Sequence, residues 1–588
     1  MVDLRRPAEQ LVRVRVKLDA VRLPLRVAMP SWTPGAYRRA DWARNVRFVR
    51  AVADVDGREI ALNVRRASAN SWWLSQPRAE KAKQSRRPRE VKGVTLQYEV
   101  YAGRRGDDSS YLDHQQATLV GASVFLFVPR QRALPHHVRF VTAKGWRLVT
   151  PLPRGQHTAA RAPRHTPVTS SFRARDYDAL IDAPVEAGIR LRVASVKIGG
   201  SLLSVAVSRH GQRAYALARR LVSHLRTIAR AQRAMMGPLP YKRYLVGLHF
   251  RTGYRFTGLE HEGGTVVYAP QSTLDGKSGY RDLLHVLAHE HFHLWNGKRI
   301  RPAPHARYDY LKLKPSRALW LTEGCTEYFA RRTLRRIGAF SATAFLDELG
   351  RGFDEVRQAP ERARLSLSDI AYRAFWPPRD PSQTELSYYA KGQVACLMID
   401  LELRARSGGR SGMLSVMREL SRRAQQAKPN TFAVDRQVLL DAIKSATKVD
   451  LTRELARWVD RPGDIDIARQ LARFGVRVTR RASENPDYGF DAERRARGIL
   501  DVSKVRRGGP AARAGLIPGD RILTIDGKTP RVWPGWHHQL RPQKRHRLQV
   551  LRAGKTMTLG LLTGKRKTWT FKVEAPRVPT ALYLGWNR

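Results

Sequence analysis

The sequence predicts a multidomain α+β protein: an N-terminal β-sandwich over residues 1–190, a mostly α domain over 191–472 and a small β-rich domain over 473–588. Three observations carry this expectation. From about residue 10 to 190, runs such as "VRVRVKL", "VTLQYEVYA" and "SVFLFVP" alternate or cluster apolar residues between Pro and Gly turns, the texture of half-buried strands. After "SRHGQ" the apolar period lengthens to that of amphipathic helices. Near residue 475 short strands and glycines return.

Taken in order, the β region is broken by "PRAEKAKQSRRPRE", which has no apolar period and reads as a solvated basic loop. The helical region contains "AYALARRLVSHLRTIARAQRAMM", a histidine-rich segment, "LWLTEGCTEYFARRTLRRIG" and "YYAKGQVACLMIDLELRARS". In the last region "GPAARAGLIPGDRILTIDGK" reads as a short helix, a tight turn and a strand. At 588 residues the chain is too long for one hydrophobic core, and 42 % hydrophobic residues suffice to build several.

Composition excludes some functions. The two cysteines, Cys325 and Cys396, fall in helical stretches and provide neither a disulfide framework nor a multi-thiolate metal site. No run of 18 apolar residues occurs and the first twenty residues lack a signal-peptide pattern, which favours a soluble, cytoplasmic protein. The net charge of +57 would attract polyanions. Its basic residues are spread through every segment, however, and no zinc-finger spacing, basic zipper helix or RNA-binding aromatic signature accompanies them, so nucleic acid is not the expected partner.

The chemistry concentrates in "HVLAHEHFHLWNGKRI", residues 285–300. On a helix, His289 and His293 are one turn apart on one face, where two imidazoles can share a zinc ion. Glu290 then stands beside the water, not on the metal, and can take the proton that the water must lose. His285 shares that face but is not followed by a carboxylate, and reads as packing around the site. His291 points elsewhere and reads as structural. The neighbours His136 and His137, and His537 and His538, have diverging side chains and read as surface residues. A third ligand is needed, and "LWLTEGCTEYFA" offers Glu323 and Glu327 one turn apart on an apolar helix, where a bare carboxylate would be costly. For Glu327 a buried ion pair with an arginine is the alternative.

These residues resemble the zinc aminopeptidases of the gluzincin type, most closely the glycyl aminopeptidase family, whose members carry a PDZ domain near the C-terminus. "TEG" is similar to the "NEG" triplet of aminopeptidase N and its relatives, which implies Glu323 as third ligand to one zinc per chain. The 29 residues between His293 and Glu323 exceed the aminopeptidase N spacing and look like the glycyl aminopeptidase family. "TGLEH" resembles the substrate-binding strand, implying that Gly258 and Glu260 bind substrate and that Glu260 holds its free α-amine. "YAKG" resembles the segment whose tyrosine stabilises the oxyanion, implying Tyr389, with Tyr388 as the neighbouring alternative. "PSWTPGAYRRADWARNV" and "DYDALIDAPVEAG" look like the family's β-domain with its D-x-P-x-E exit. "YGFDAERRARGILDVSKV" and the segment after it are similar to a PDZ domain, with Gly489 and Phe490 either a carboxylate-binding loop or a plain strand turn.

The resemblance implies a thermolysin-like catalytic domain and removal of N-terminal residues, glycine or alanine favoured, from peptides. Three other functions compete: an endopeptidase, distinguished by equal cleavage of N-acetylated peptides; a silent scaffold using PDZ strand addition to a partner's C-terminus; and polyanion binding, distinguished by steep salt dependence.

Overall fold

The structure, a computed structural model, describes residues 1–587 apart from 56, 78–88, 156–167, 209–210, 253–254, 275–276, 377–385, 429–430, 495–497 and 531–534. Most of the basic stretch at 77–90 therefore lies outside the described residues. The chain forms two compact units, residues 1–316 with 417–439 and residues 317–416 with 440–588.

The first unit opens with β structure. A seven-stranded sheet is centred on the long antiparallel pair Leu11–Leu23 and Arg89–Tyr101. Four- and three-stranded sheets accompany it. Val12 and Val14 are buried while Arg13 and Arg15 are not, as the alternation requires. The segment "SVFLFVP" is not a strand: it makes one isolated bridge, Ala28 to Phe127. Its polar groups are met by tyrosines instead, since the Tyr98 hydroxyl donates to the Val124 carbonyl at 3.1 Å and accepts from the Leu126 N–H, and the Tyr177 hydroxyl donates to the Phe125 carbonyl at 2.7 Å. His136 is half-buried against the Tyr177 ring, deeper than a surface residue. Tyr308 and Tyr310 join the core of this β region, which is where the long segment after the histidines is anchored.

A five-stranded sheet follows, ordered Arg192–Ile198, Ser201–Val207, Arg243–Arg251, Gly264–Pro270 and Thr257–His261. Helix Gly211–Met236 packs on the first two strands and helix Lys277–Phe292 on the last two. "YLVGLHF" and "GTVVYAP" pair in parallel with both faces covered, and such continuous apolar runs carry no period that marks them as strands. The mostly α reading of this region therefore holds for its helices but omits the sheet on which the site rests.

In the second unit a π-helical turn, Trp320–Gly324, leads into helix Cys325–Arg336, joined by helices Ala342–Gln358 and Tyr388–Arg406. Cys325 and Cys396 are buried free thiols. The terminal β region holds the antiparallel pair Arg477–Asp487 and Gly564–Glu574 and a five-stranded sheet that begins at Phe490–Arg494. Helix Ala581–Trp586 ends the described chain, and the buried Trp586 donates its indole N–H to the Tyr328 hydroxyl at 3.0 Å. No helix among the described residues is long and apolar enough to cross a membrane.

Candidate metal centre and its surroundings

His289, Glu290 and His293 are all buried. The His293 Nδ1–H donates to the Asn296 carbonyl at 2.8 Å, which fixes the tautomer and leaves the Nε2 lone pair facing His289. The two Nε2 atoms stand 2.9 Å apart, near the ~3.3 Å expected for two nitrogens on one tetrahedral ion. Glu323, in the second unit, is buried as well, and a carboxylate is the kind of third donor that a two-imidazole zinc site needs. Two imidazole nitrogens and a carboxylate form a donor set that suits zinc, so the residues present fit the ion.

His291 faces away, as its position predicts. Its Nδ1–H donates to Gln232 Oε1 at 2.6 Å and its Nε2 accepts from the Tyr241 hydroxyl at 3.0 Å. Burial holds its pKa down at about 3, so the ring is neutral. Gln232 also donates to the Ala288 carbonyl at 2.8 Å, tying the preceding helix to the turn before His289. His285 is partly buried one turn earlier.

The edge strand Thr257–His261 lies against this helix. A Cβ on Gly258 would stand 2.3 Å from Glu290 Oε1, so only glycine lets the strand backbone run beside that carboxylate. Glu260, two residues on and so on the same face, is buried. The turn in "PSWTPG" reaches it: Gly35, at φ +102°, leaves room that a Cβ would take at 2.4 Å from Glu260 Oε2. Gly35 escaped sequence reasoning, although the glycine after Thr33-Pro34 signalled a special backbone. The outer edge of Thr257–His261 pairs with no other strand among the described residues, which leaves its backbone able to pair with an extended peptide.

In the second unit, Glu323 lies in the π-helical turn, a local irregularity often found at functional sites. Tyr388 and Tyr389 begin the helix Tyr388–Arg406, whose N-cap Ser387 accepts from the Tyr389 N–H at 3.1 Å. The two elements touch at glycines: a Cβ on Gly324 would come within 2.4 Å of the Gly392 Cα. The glycines of "TEG" and "YAKG" thus mark one helix crossing. Glu327 pairs with Arg331 at 2.9 Å, the alternative open to it.

In the terminal β region Gly489, at φ +76°, and Phe490 follow strand Arg477–Asp487 and start an edge strand. Phe490 is buried and stacks on Trp536 with ring centroids 5.1 Å apart. Tyr488, Gly489, Phe490, Arg541 and Arg566 line one groove.

A buried helix carrying H-E-x-x-H, beside a strand edge that pairs with no other described strand, is an arrangement suited to a zinc metallopeptidase. Family models agree: the peptidase M61 N-terminal domain matches residues 1–189, the M61 glycyl aminopeptidase residues 282–395 and a PDZ domain residues 502–532. The chain belongs to the M61 glycyl aminopeptidase family. Its fold is similar to that of an aminopeptidase N family protein from Idiomarina loihiensis, at TM-score 0.82 and 23 % identity over 100 % of this chain and 99 % of that one. A Neisseria meningitidis serogroup A protein named as a zinc metalloprotease is 31 % identical over 107 residues, covering 14 % of this chain. The match spans about a quarter of that relative's length, 24 %.

Proposed function

We propose that the protein is a zinc aminopeptidase that removes the N-terminal residue of peptides, small residues such as glycine or alanine favoured, and that its PDZ domain binds a peptide or partner. The observation that carries this reading is the shared face of Gly258 and Glu260 beside Glu290: it sets a second buried carboxylate along the strand from the base, where a peptide's first amine would lie. His289, His293 and Glu323 are the residues that would hold zinc. When bound, the ion supplies an acidified water and polarises the scissile carbonyl. Glu290 takes the proton from the attacking water and returns it to the leaving amine. Tyr389 donates a hydrogen bond to the carbonyl oxygen as its charge grows, a contribution of about 3 kcal/mol for one well-placed donor.

Glu260 binds the protonated α-amine, which directs cleavage to chain ends. The recess around it is lined by Gly35, Tyr37, Lys298, His305 and Tyr308, close walls that favour small first residues. In this reading residues 1–190 shape that recess, 191–472 carry the chemistry, and 473–588 hold the PDZ domain, with Gly489 and Phe490 as its carboxylate loop.

The test is Glu290→Gln. Turnover of alanyl and glycyl peptides is expected to fall by at least about 10³-fold while one zinc per chain is retained. Wild-type turnover in that variant, or equal cleavage of free and N-acetylated peptides by the wild type, refutes the assignment.

A further inference from the structure

Asp182, first residue of the D-x-P-x-E exit, sits where three segments meet. Its Oδ1 accepts from the His261 Nδ1–H at 3.0 Å and from the Lys298 ammonium at 2.9 Å, and its Oδ2 accepts from the Glu262 backbone N–H at 3.0 Å. The side chains are almost sealed from water, with exposures of 12 % for Asp182, 0 % for His261 and 2 % for Lys298. Lys298 is in turn bound to the metal-ligand helix: its backbone N–H donates to the His293 carbonyl at 3.0 Å.

A continuous path therefore runs from a metal ligand to the amine-reading residue. It passes from the His293 carbonyl to Lys298, through the Asp182 carboxylate, to the two residues that directly follow Glu260. An ion pair that merely filled the core could be replaced by apolar groups and would need no second and third donor. Here one carboxylate takes donors from the strand end and from the turn after the histidines, whose separation sets how far the substrate amine lies from the metal. Lys298 also lines the same recess as Glu260.

We propose that Asp182 is a positioning residue, which with Lys298 as its counter-charge fixes Glu260 at the distance from the metal ligands that one amino-acid residue spans. The inference rests on the reading of Glu260 as the amine-binding group. Asp182 touches neither substrate nor reacting atoms. Its loss lets the strand end drift, and misplacement of about 1 Å costs alignment that a bound substrate cannot restore.

The experiment compares two zinc-binding hydroxamates on full-length, zinc-loaded protein by calorimetry. Alanine hydroxamate carries the α-amine, and propionohydroxamate lacks it. The wild type should bind the first about 10- to 100-fold more tightly, the worth of a charged hydrogen bond. In Asp182→Asn that ratio should fall to within about 3-fold of unity, with propionohydroxamate affinity and zinc content unchanged. If the single variant does not fold, the double variant D182N/K298Q, which removes both buried charges together, is expected to bring the affinity ratio to within about 3-fold of unity with zinc content unchanged. A folded variant that keeps the wild-type ratio overturns the positioning role alone. A wild type that binds both hydroxamates equally overturns the reading of Glu260, and this inference with it.

Discussion

At Gly258 a single methyl group would meet a carboxylate. Its Cβ would lie 2.3 Å from Glu290 Oε1 and 2.5 Å from Cδ, so Gly258→Ala must move either the strand or the base. Steady-state kinetics should show kcat lower by about 10²-fold with the zinc content of the wild type. An unchanged kcat would mean that Glu290 is not held against this strand. His305 makes a pH-dependent prediction. It is buried between Trp32 and Tyr37, and its Nε2–H donates to the Lys314 carbonyl at 2.7 Å. Burial lowers its pKa to about 4, so the folded protein keeps the ring neutral. The unfolded chain, with an ordinary value near 6.5, binds a proton first as pH falls. This stabilisation is thus complete above pH ~6.5 and is lost between there and pH ~4, on the order of 3 kcal/mol. Denaturant titrations at pH 7 and 4.5 should show wild type losing more stability than His305→Gln, which keeps an N–H donor without titrating.

The elements that carry Glu323 and Tyr389 are joined by a crossing with no room for side chains. A Cβ on Gly392 would stand 2.9 Å from the Trp320 carbonyl oxygen and 3.0 Å from the Gly324 Cα. Gly392→Ala should therefore force the π-helical turn and the tyrosine helix apart, with a stability loss of about 1–3 kcal/mol from overpacking. Calorimetry should show a lower Tm, and metal competition a weaker hold on zinc, because Glu323 is one residue from the contact. Both glycines stood in motifs picked out for their charged or aromatic neighbours. The motif spelling did not reveal that the glycines are needed for each other.

For the whole molecule the dominant fact is charge. A net +57 repels itself over distances that salt shortens, from about 30 Å at 10 mM to less than 8 Å at 300 mM. Thermal unfolding should move upward by several degrees over that range. A downward shift would show that the arginine ion pairs on the surface, such as Arg422 with Glu419 at 2.8 Å, outweigh the repulsion. The same screening should abolish retention on a polyanion column if no built site for nucleic acid exists.

Local sequence was enough to place His289, Glu290 and His293 on one helix with the two imidazoles a turn apart, because helical geometry alone sets that spacing. It determined the helices and most strands for the same reason, since their periods are local. It did not reveal the five-stranded sheet under the site, whose buried parallel strands carry no alternation. Nor did it show that "SVFLFVP" forgoes strand pairing for tyrosine hydroxyls more than twenty residues away. Gly35 beside Glu260, and Asp182 linking residues 261, 262 and 298, were decided only by tertiary structure. Their roles depend on which distant groups meet, and steric room and hydrogen-bond partners across 79 to 225 residues of chain leave no periodic trace in the sequence.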